Sequence, residues 1–269
     1  MVGCEPQVSL IDVEDVSKAY GGIRALDGCT MSFEDGRING LIGPNGSGKT
    51  TLFNVMTGYE KPDGGCVRFA GDEVTRLSPD RVFGRGIGRT FQLTRIFPRM
   101  TVVENLHVAS QRGGGFWKEL SRWSSPGERE RTKEVLDFVG LTRLATEQAG
   151  NLSYGQQKLL EFACIIIARP RVMLLDEPAG GVNPTLLRHL ASRVRELNAE
   201  GITFVIVEHD MEFVMGLCDR VCVMHQGRAL CAGPPELVRE DPLVLEAYLG
   251  TDMREGASTV PGVSELGGG

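Results

Sequence analysis

The chain has 269 residues, 41% apolar and 24% charged, with a formal charge of −6. That length holds one large domain or two small ones around a sizeable core, in the composition of a soluble globular protein. The acidic balance and the lack of a long Lys/Arg run argue against a nucleic-acid partner, and the longest apolar runs, "FACIIIA" and "ITFVIV", fall short of the ~18 residues of a bilayer span.

The opening "MVGCEPQVSL" has neither the basic start nor the apolar stretch of a signal peptide. Seven cysteines are scattered at positions 4, 29, 66, 164, 218, 222 and 231, with no CxxC pair and no Cys/His cluster. Structural zinc is therefore not expected. Buried free thiols in a reducing cytoplasm are.

Along the first hundred residues, "VSLIDVEDVSKAYGG", "CTMSFEDG" and "CVRFAG" read as strands between turn signals such as Asp35-Gly36 and Asp63-Gly64-Gly65. "RINGLIG" is a short apolar strand running into a glycine-rich loop, and "KTTLFNVMTG" is a helix closed by Gly58. From Thr101 to Ala168, "TVVENLHVAS", "SPGERERTKEVLDFVG" and "SYGQQKLLEFACIIIA" carry apolar residues at helical spacing. After Pro170 strands and helices alternate through "RVMLLDEP", "NPTLLRHLASRVRELNAEG", "ITFVIVEH", "DMEFVMGLC" and "DRVCVMHQG", which predicts parallel βα units. "PPELVRED" and "PLVLEAYLG" are short final helices, and 251–269 is a polar, glycine-rich tail expected to be disordered.

The chemistry concentrates in four places. "GPNGSGKT", comprising Gly43, Pro44, Asn45, Gly46, Ser47, Gly48, Lys49 and Thr50, with Thr51 next, fits G-x-x-x-x-G-K-[ST] between a strand and a helix. Its glycines let backbone N–H groups curl around phosphate oxygens, Lys49 brings a positive charge to the terminal phosphates, and the Thr50 hydroxyl suits Mg²⁺. In "VMLLDEP" a buried strand ends at Asp176, where an acid holds Mg²⁺ through water, and Glu177 one residue on is placed to deprotonate a water. "FVIVEHD" repeats that pattern with His209, which parallel order brings to the same sheet edge, within reach of a γ-phosphate. "NLSYGQQKLLEFA" starts a helix: Ser153 caps, Gln156 completes a capping box, and Gly155 leaves space for an anion at the free N–H groups. Taken alone, the acidic strand end is equally a solvated turn, the histidine a capping residue, Gln92 in "GRTFQLTRIF" a polar loop residue, and Tyr20 in "SKAYGG" a packing residue whose ring also suits a purine.

The order of these pieces resembles the ATP-binding cassette (ABC) ATPases over about residues 8–250, with "LSYGQQ" similar to that family's signature motif. The resemblance implies a P-loop NTPase of α/β class: a RecA-like core with an antiparallel β subdomain (about 8–92 and 169–250) and a helical subdomain (about 93–168). It also implies roles for single residues. Tyr20 stacks on adenine; Lys49 and Thr50 hold phosphates and Mg²⁺. Gln92 senses metal and water, Asp176 holds Mg²⁺ through water, Glu177 is the base and His209 contacts the γ-phosphate. The implied cofactors are ATP and Mg²⁺. The implied partners are transmembrane permease subunits, docking near the Gln92 loop, and a second cassette, a copy or a paralogue, whose ATP is covered by Ser153, Gly155 and Gln156. The chain would then sit on the cytoplasmic face of the inner membrane.

"RTFQLTRIFPRMTVVENLHVA", "DEPAGGVNP", "EHDMEFVMGLCDRVCVMHQG" and "DPLVLEAYLG" resemble most the ATP-binding subunit of bacterial branched-chain amino acid importers. Tyr154 stands where a glycine is commoner in the wider family and Asn183 where aspartate is, and both are usual in this importer group. The alternatives are a cassette for another amino acid, an amide or a lipid; a soluble cassette acting on DNA ends or ribosomes; and a nucleotide-binding regulator without turnover. The segment between Gln92 and Leu152 has no sustained heptads of a DNA-repair coiled coil, the chain has one phosphate loop, and Lys49, Asp176, Glu177 and His209 are present together. Those features favour the transport ATPase.

Overall fold

The computed structural model describes residues 8–90, 96–110 and 126–255. Two sheets organise the chain. Strands β1 (Ser9–Tyr20), β2 (Ile23–Glu34), β4 (Gly64–Phe69) and β5 (Asp72–Glu73) form an antiparallel sheet in the order β2-β1-β4-β5. The second sheet has the order β10-β9-β3-β8-β7-β6, from β3 (Ile38–Ile42), β6 (Ile87–Arg89), β7 (Val172–Asp176), β8 (Thr203–Val207), β9 (Arg220–His225) and β10 (Arg228–Gly233). It is parallel except for β10, which pairs antiparallel with β9.

Strands β3, β7 and β8 are buried at every position, as their mostly apolar runs suit in a parallel sheet covered on both faces. Alternate side chains divide between two cores. Met173, Leu175, Phe204, Ile206, Val221 and Val223 belong to the cluster shared with the helical layer. Val172, Leu174, Val205, Val207, Cys222 and Met224 belong to the one shared with the antiparallel sheet. Asn39, fully buried in β3, is tolerated because its Nδ2 donates to Glu34 O (3.0 Å) and Phe204 O (3.1 Å) while its Oδ1 accepts from Glu34 N (3.0 Å).

Nine α-helices lie among the described residues: α1 (Lys49–Met56), α2 (Pro79–Gly84), α3 (Val102–Ser110), α4 (Pro126–Val139), α5 (Tyr154–Ile167), α6 (Pro184–Ala199), α7 (Met211–Leu217), α8 (Pro235–Glu240) and α9 (Pro242–Glu255). Helices α3, α4 and α5 pack together through Val102, Leu106, Val135, Leu136, Val139 and Leu160, as their apolar spacing predicts. The tail expected from residue 251 is corrected at its start, because α9 continues to Glu255; residues 256–269 lie outside the described residues. The sequence reading did not identify α2, β5 or β10. Strand β10 follows a two-residue turn with Gln226 at φ 50° and Gly227 at φ 77°, the left-handed pair that a tight hairpin needs, but "RALCAG" lacks strand-like alternation.

Among the described residues all cysteines are free. Burial pushes the Cys164 and Cys218 thiols up to about 12, and those of Cys29 and Cys222 to about 11, so these four behave as packing residues. No described helix is long and apolar enough to cross a membrane.

Candidate functional site

The parallel order puts the C-terminal ends of β3, β7 and β8 side by side, so the glycine-rich loop, Asp176-Glu177 and Glu208-His209 share one sheet edge. The loop after β3 is fixed by close backbone contact. A Cβ on Gly43 (φ 152°) would lie 2.2 Å from Met224 O, and one on Gly48 (φ 103°) would lie 2.4 Å from Ala25 O. Neither position accepts a side chain. Gly227 N–H donates to Ser47 O (2.9 Å), so the tip of the β9–β10 hairpin holds the loop from outside.

Gly48 is the N-cap of α1 and brings no side-chain cap, which leaves the helix start open to an anion. Lys49 is 9% exposed, and its Nζ donates back into the loop, to Gly43 O (2.7 Å), Pro44 O (3.1 Å) and Ser47 Oγ (3.5 Å). Burial lowers the Lys49 ammonium from its usual range, and the charges of Glu177 and Asp176 oppose that. Asn45, Gly46 and Thr50 are exposed, and Thr51 is half-buried in the first turn of α1.

Asp176 is buried at the end of β7, and its Oδ2 accepts from Arg89 Nη2 at 2.8 Å. Glu177 leaves the strand with φ 48°, a left-handed conformation unfavourable for a residue with a Cβ. Its N–H donates to Val207 O (2.9 Å) and its carbonyl accepts from Gly180 N (3.1 Å), which hold the turn. His209 follows β8 with its side chain 63% exposed, and Asp210 caps α7 by accepting from Phe213 N (3.0 Å).

Two contributors escaped the sequence reading. Arg89 is one. Glu208 is the other: it is fully buried, its Oε1 accepts from Ala179 N (2.6 Å) and its Oε2 from His209 N (3.2 Å). Burial pushes its carboxyl up, and the Ala179 and His209 amides oppose that. One carboxylate thus braces the loops that carry Glu177 and His209.

Tyr20 ends β1 with its ring half exposed and the Lys18 ammonium 5.4 Å from the ring centroid. Ala25, just inside β2, touches the Gly48 position, so the β1–β2 hairpin lies beside the phosphate loop. Gln92 lies outside the described residues.

The capping box at the start of α5 is present: Ser153 Oγ accepts from Gln156 N (3.4 Å) and Gln156 Oε1 from Ser153 N (2.9 Å). Gly155 has a packing reason of its own, because a Cβ there would sit 2.5 Å from Leu186 Cδ2 on α6. Tyr154 donates from its hydroxyl to Gly180 O (3.4 Å), and Asn183 caps α6 by accepting from Leu186 N (2.9 Å). The two positions that depart from the wider family pattern therefore have local structural work. Among the described residues no hydrogen bond or ion pair joins Ser153, Tyr154 or Gln156 to the phosphate loop.

A parallel sheet whose edge gathers a glycine-rich loop, its lysine and a paired Asp-Glu defines a phosphate-loop nucleotide hydrolase. The family described as ABC transporter matches residues 26–180. The high-affinity branched-chain amino acid transport ATP-binding protein BraF of Pseudomonas aeruginosa is 38% identical over 249 residues, covering 90% of this chain and 98% of the relative. A crystal structure of the ADP conformation of an ATP-binding cassette of an ABC transporter superposes with a TM-score of 0.80 at 36% identity, over 90% of this chain and 99% of the other. A dimeric bacterial ABC transporter cassette superposes with a TM-score of 0.74 at 26% identity, over 84% and 99%. The chain belongs to the ABC transporter family, and it is a nucleotide-binding ATPase of that family.

Proposed function

We propose that this chain is the motor subunit of an importer for branched-chain amino acids, working as one of two cassettes against permease subunits on the cytoplasmic face of the inner membrane. The observation that carries the ATPase half is the meeting, at one sheet edge, of the glycine-rich loop with its buried Lys49 and the Asp176-Glu177 pair at the end of β7. The importer half rests on the likeness to BraF over nearly its full length. The division of labour is a core with its β subdomain at about 8–92 and 169–250, and a helical subdomain at about 93–168.

In this reading the loop N–H groups and Lys49 bind the ATP phosphates, and Tyr20 stacks on the base. The chain fits Mg²⁺ in the way that ion is usually held. Among the described residues no cluster of three or more His, Cys, Asp or Glu forms a metal cage. Mg²⁺ needs only a carboxylate or two beside substrate phosphates and water, and Asp176 with the Thr50 hydroxyl supplies that. Bound Mg²⁺ would neutralise phosphate charge. Glu177 takes the proton of the attacking water, and Gln92 and His209 orient water and γ-phosphate. Ser153, Gly155 and Gln156 face another cassette's ATP; the dimeric relative supports this.

The test is uptake by vesicles containing this chain with its permease and binding protein. ATP-dependent entry of labelled leucine, isoleucine or valine is expected, and a Glu177→Gln variant should abolish it. Uptake of a different amino acid or an amide in their place would overturn the substrate, and ATP turnover indifferent to every permease would overturn the transport reading.

A further inference from the structure

Arg89 closes β6, and its side chain is almost wholly buried. The side chains of Arg89 and Asp176 are each 6% exposed. Nη2 donates to Asp176 Oδ2 (2.8 Å), while Nη1 donates to Asn54 Oδ1 (2.7 Å) and Thr57 Oγ1 (3.1 Å). Asn54 and Thr57 are three residues apart, so they meet the guanidinium from one side of the chain that runs on from the phosphate loop through α1. The rings of Phe53 and Tyr59 stand 5.5 and 5.9 Å from the guanidinium carbon. Asp176 is also held through its backbone, since its N–H donates to Thr90 Oγ1 (3.1 Å) and Thr90 N–H donates to Leu174 O (2.9 Å).

A charge taken out of water this completely keeps its place only where its donors meet acceptors in good geometry. The planar fork of arginine reaches the carboxylate with one arm and α1 with the other; the single ammonium of lysine cannot span both. We propose that Arg89 is the positioning residue of the Asp176 carboxylate: it holds one oxygen, leaves the other for the hydration shell of Mg²⁺, and ties that arrangement to the helix that follows the phosphate loop. This rests on the reading of Asp176 as the Mg²⁺-holding acid.

The test is calorimetric titration with an ATP analogue whose β–γ bridge is nitrogen, once with Mg²⁺ and once with EDTA. The ratio of the two affinities is the Mg²⁺ increment. Loss of a partner that orients a metal-holding group reduces metal affinity about 10- to 100-fold, so Arg89→Met should cut the increment about 10-fold or more while the affinity in EDTA stays within about two-fold. Arg89→Lys should restore only part of it. An unchanged increment, or an equal loss in both conditions, overturns the proposal. If Arg89→Met does not fold, Asn54→Leu with Thr57→Val leaves the ion pair but frees it from α1; a smaller fall in the increment is expected, and full retention overturns the proposal. Asp176→Asn separates the two levels. If that variant keeps the increment, the reading of Asp176 fails; if it loses the increment and Arg89→Met does not, only the role of Arg89 fails.

Discussion

The hydroxyl of Tyr154 donates to the carbonyl of Gly180 at 3.4 Å, which ties the first turn of the signature helix to the loop that follows Glu177 in the same chain. Gly155, the next residue, is pressed on Leu186. The signature is therefore packed against the loop after β7 and the first turn of α6, apart from any role towards a ligand.

Gly155→Ala tests that packing. The new methyl would meet Leu186 Cδ2, the tip of a half-buried side chain, at 2.5 Å, so Leu186 must turn aside at a cost of about 0.5–1.5 kcal/mol, against up to about 1 kcal/mol gained by alanine in a helix. Leu186→Ala reopens the space, so the double variant should be more stable than the sum of the singles predicts, by about 0.5–1.5 kcal/mol in urea unfolding. Strict additivity would rule the contact out as the reason for glycine.

Lys49→Ala should remove most nucleotide affinity. Losing a charge-assisted hydrogen bond to phosphate costs about 1.5–3 kcal/mol, a fall of roughly 10- to 150-fold by calorimetry. A folded variant that binds ATP as tightly as the wild type would refute the site.

Glu177→Gln keeps the shape of the base and removes its charge, so ATP should persist and a dimer accumulate in gel filtration with ATP and Mg²⁺ when the permease is present. Adding Ser153→Arg should abolish that dimer while each monomer keeps its ATP. Ser153→Ala is the control for the lost cap, which costs about 1 kcal/mol of helix stability. A double variant that dimerises as well as Glu177→Gln contradicts the idea that "LSYGQQ" covers a neighbouring cassette's ATP.

Glu208 makes stability depend on pH. Burial raises its folded-state pKa above the ordinary glutamate value of 4.5, so between the two the folded state binds more protons than the unfolded one. Stability from this group is present in full below the ordinary value and is lost as pH rises through the raised one. Urea midpoints for wild type and Glu208→Gln across that range should show the wild type losing ground as pH rises, with the variant flatter. Parallel curves would mean that the Ala179 and His209 amides fully offset the burial.

The parts visible in the sequence are those whose cause is local. The apolar runs of β3, β7 and β8, the glycine-rich loop and the Ser153–Gln156 capping box each depend on neighbours within a few positions. The roles of Arg89 and Glu208 and the packing of Gly155 on Leu186 were not legible, because the partners Asp176, Ala179 and Leu186 are brought close only by tertiary folding. A buried charge leaves no periodic signal; "GRTF" and "VEHD" look alike whether the charge faces water or a partner. Strand β10 was missed for a different reason, since an edge strand that is only partly buried has little need of apolar alternation.

The backbone at Glu177, with φ 48°, sits where a residue bearing a Cβ is disfavoured by about 1–2 kcal/mol. Glycine adopts that angle without penalty. In a library of variants screened only for resistance to heat, Glu177→Gly should therefore emerge as a hit, sturdier than the parent and unable to turn over ATP. On the reading of Glu177 as the base, a screen for robustness alone would empty this position of its carboxylate, and the left-handed backbone there is the strain that the chemistry would cost the fold.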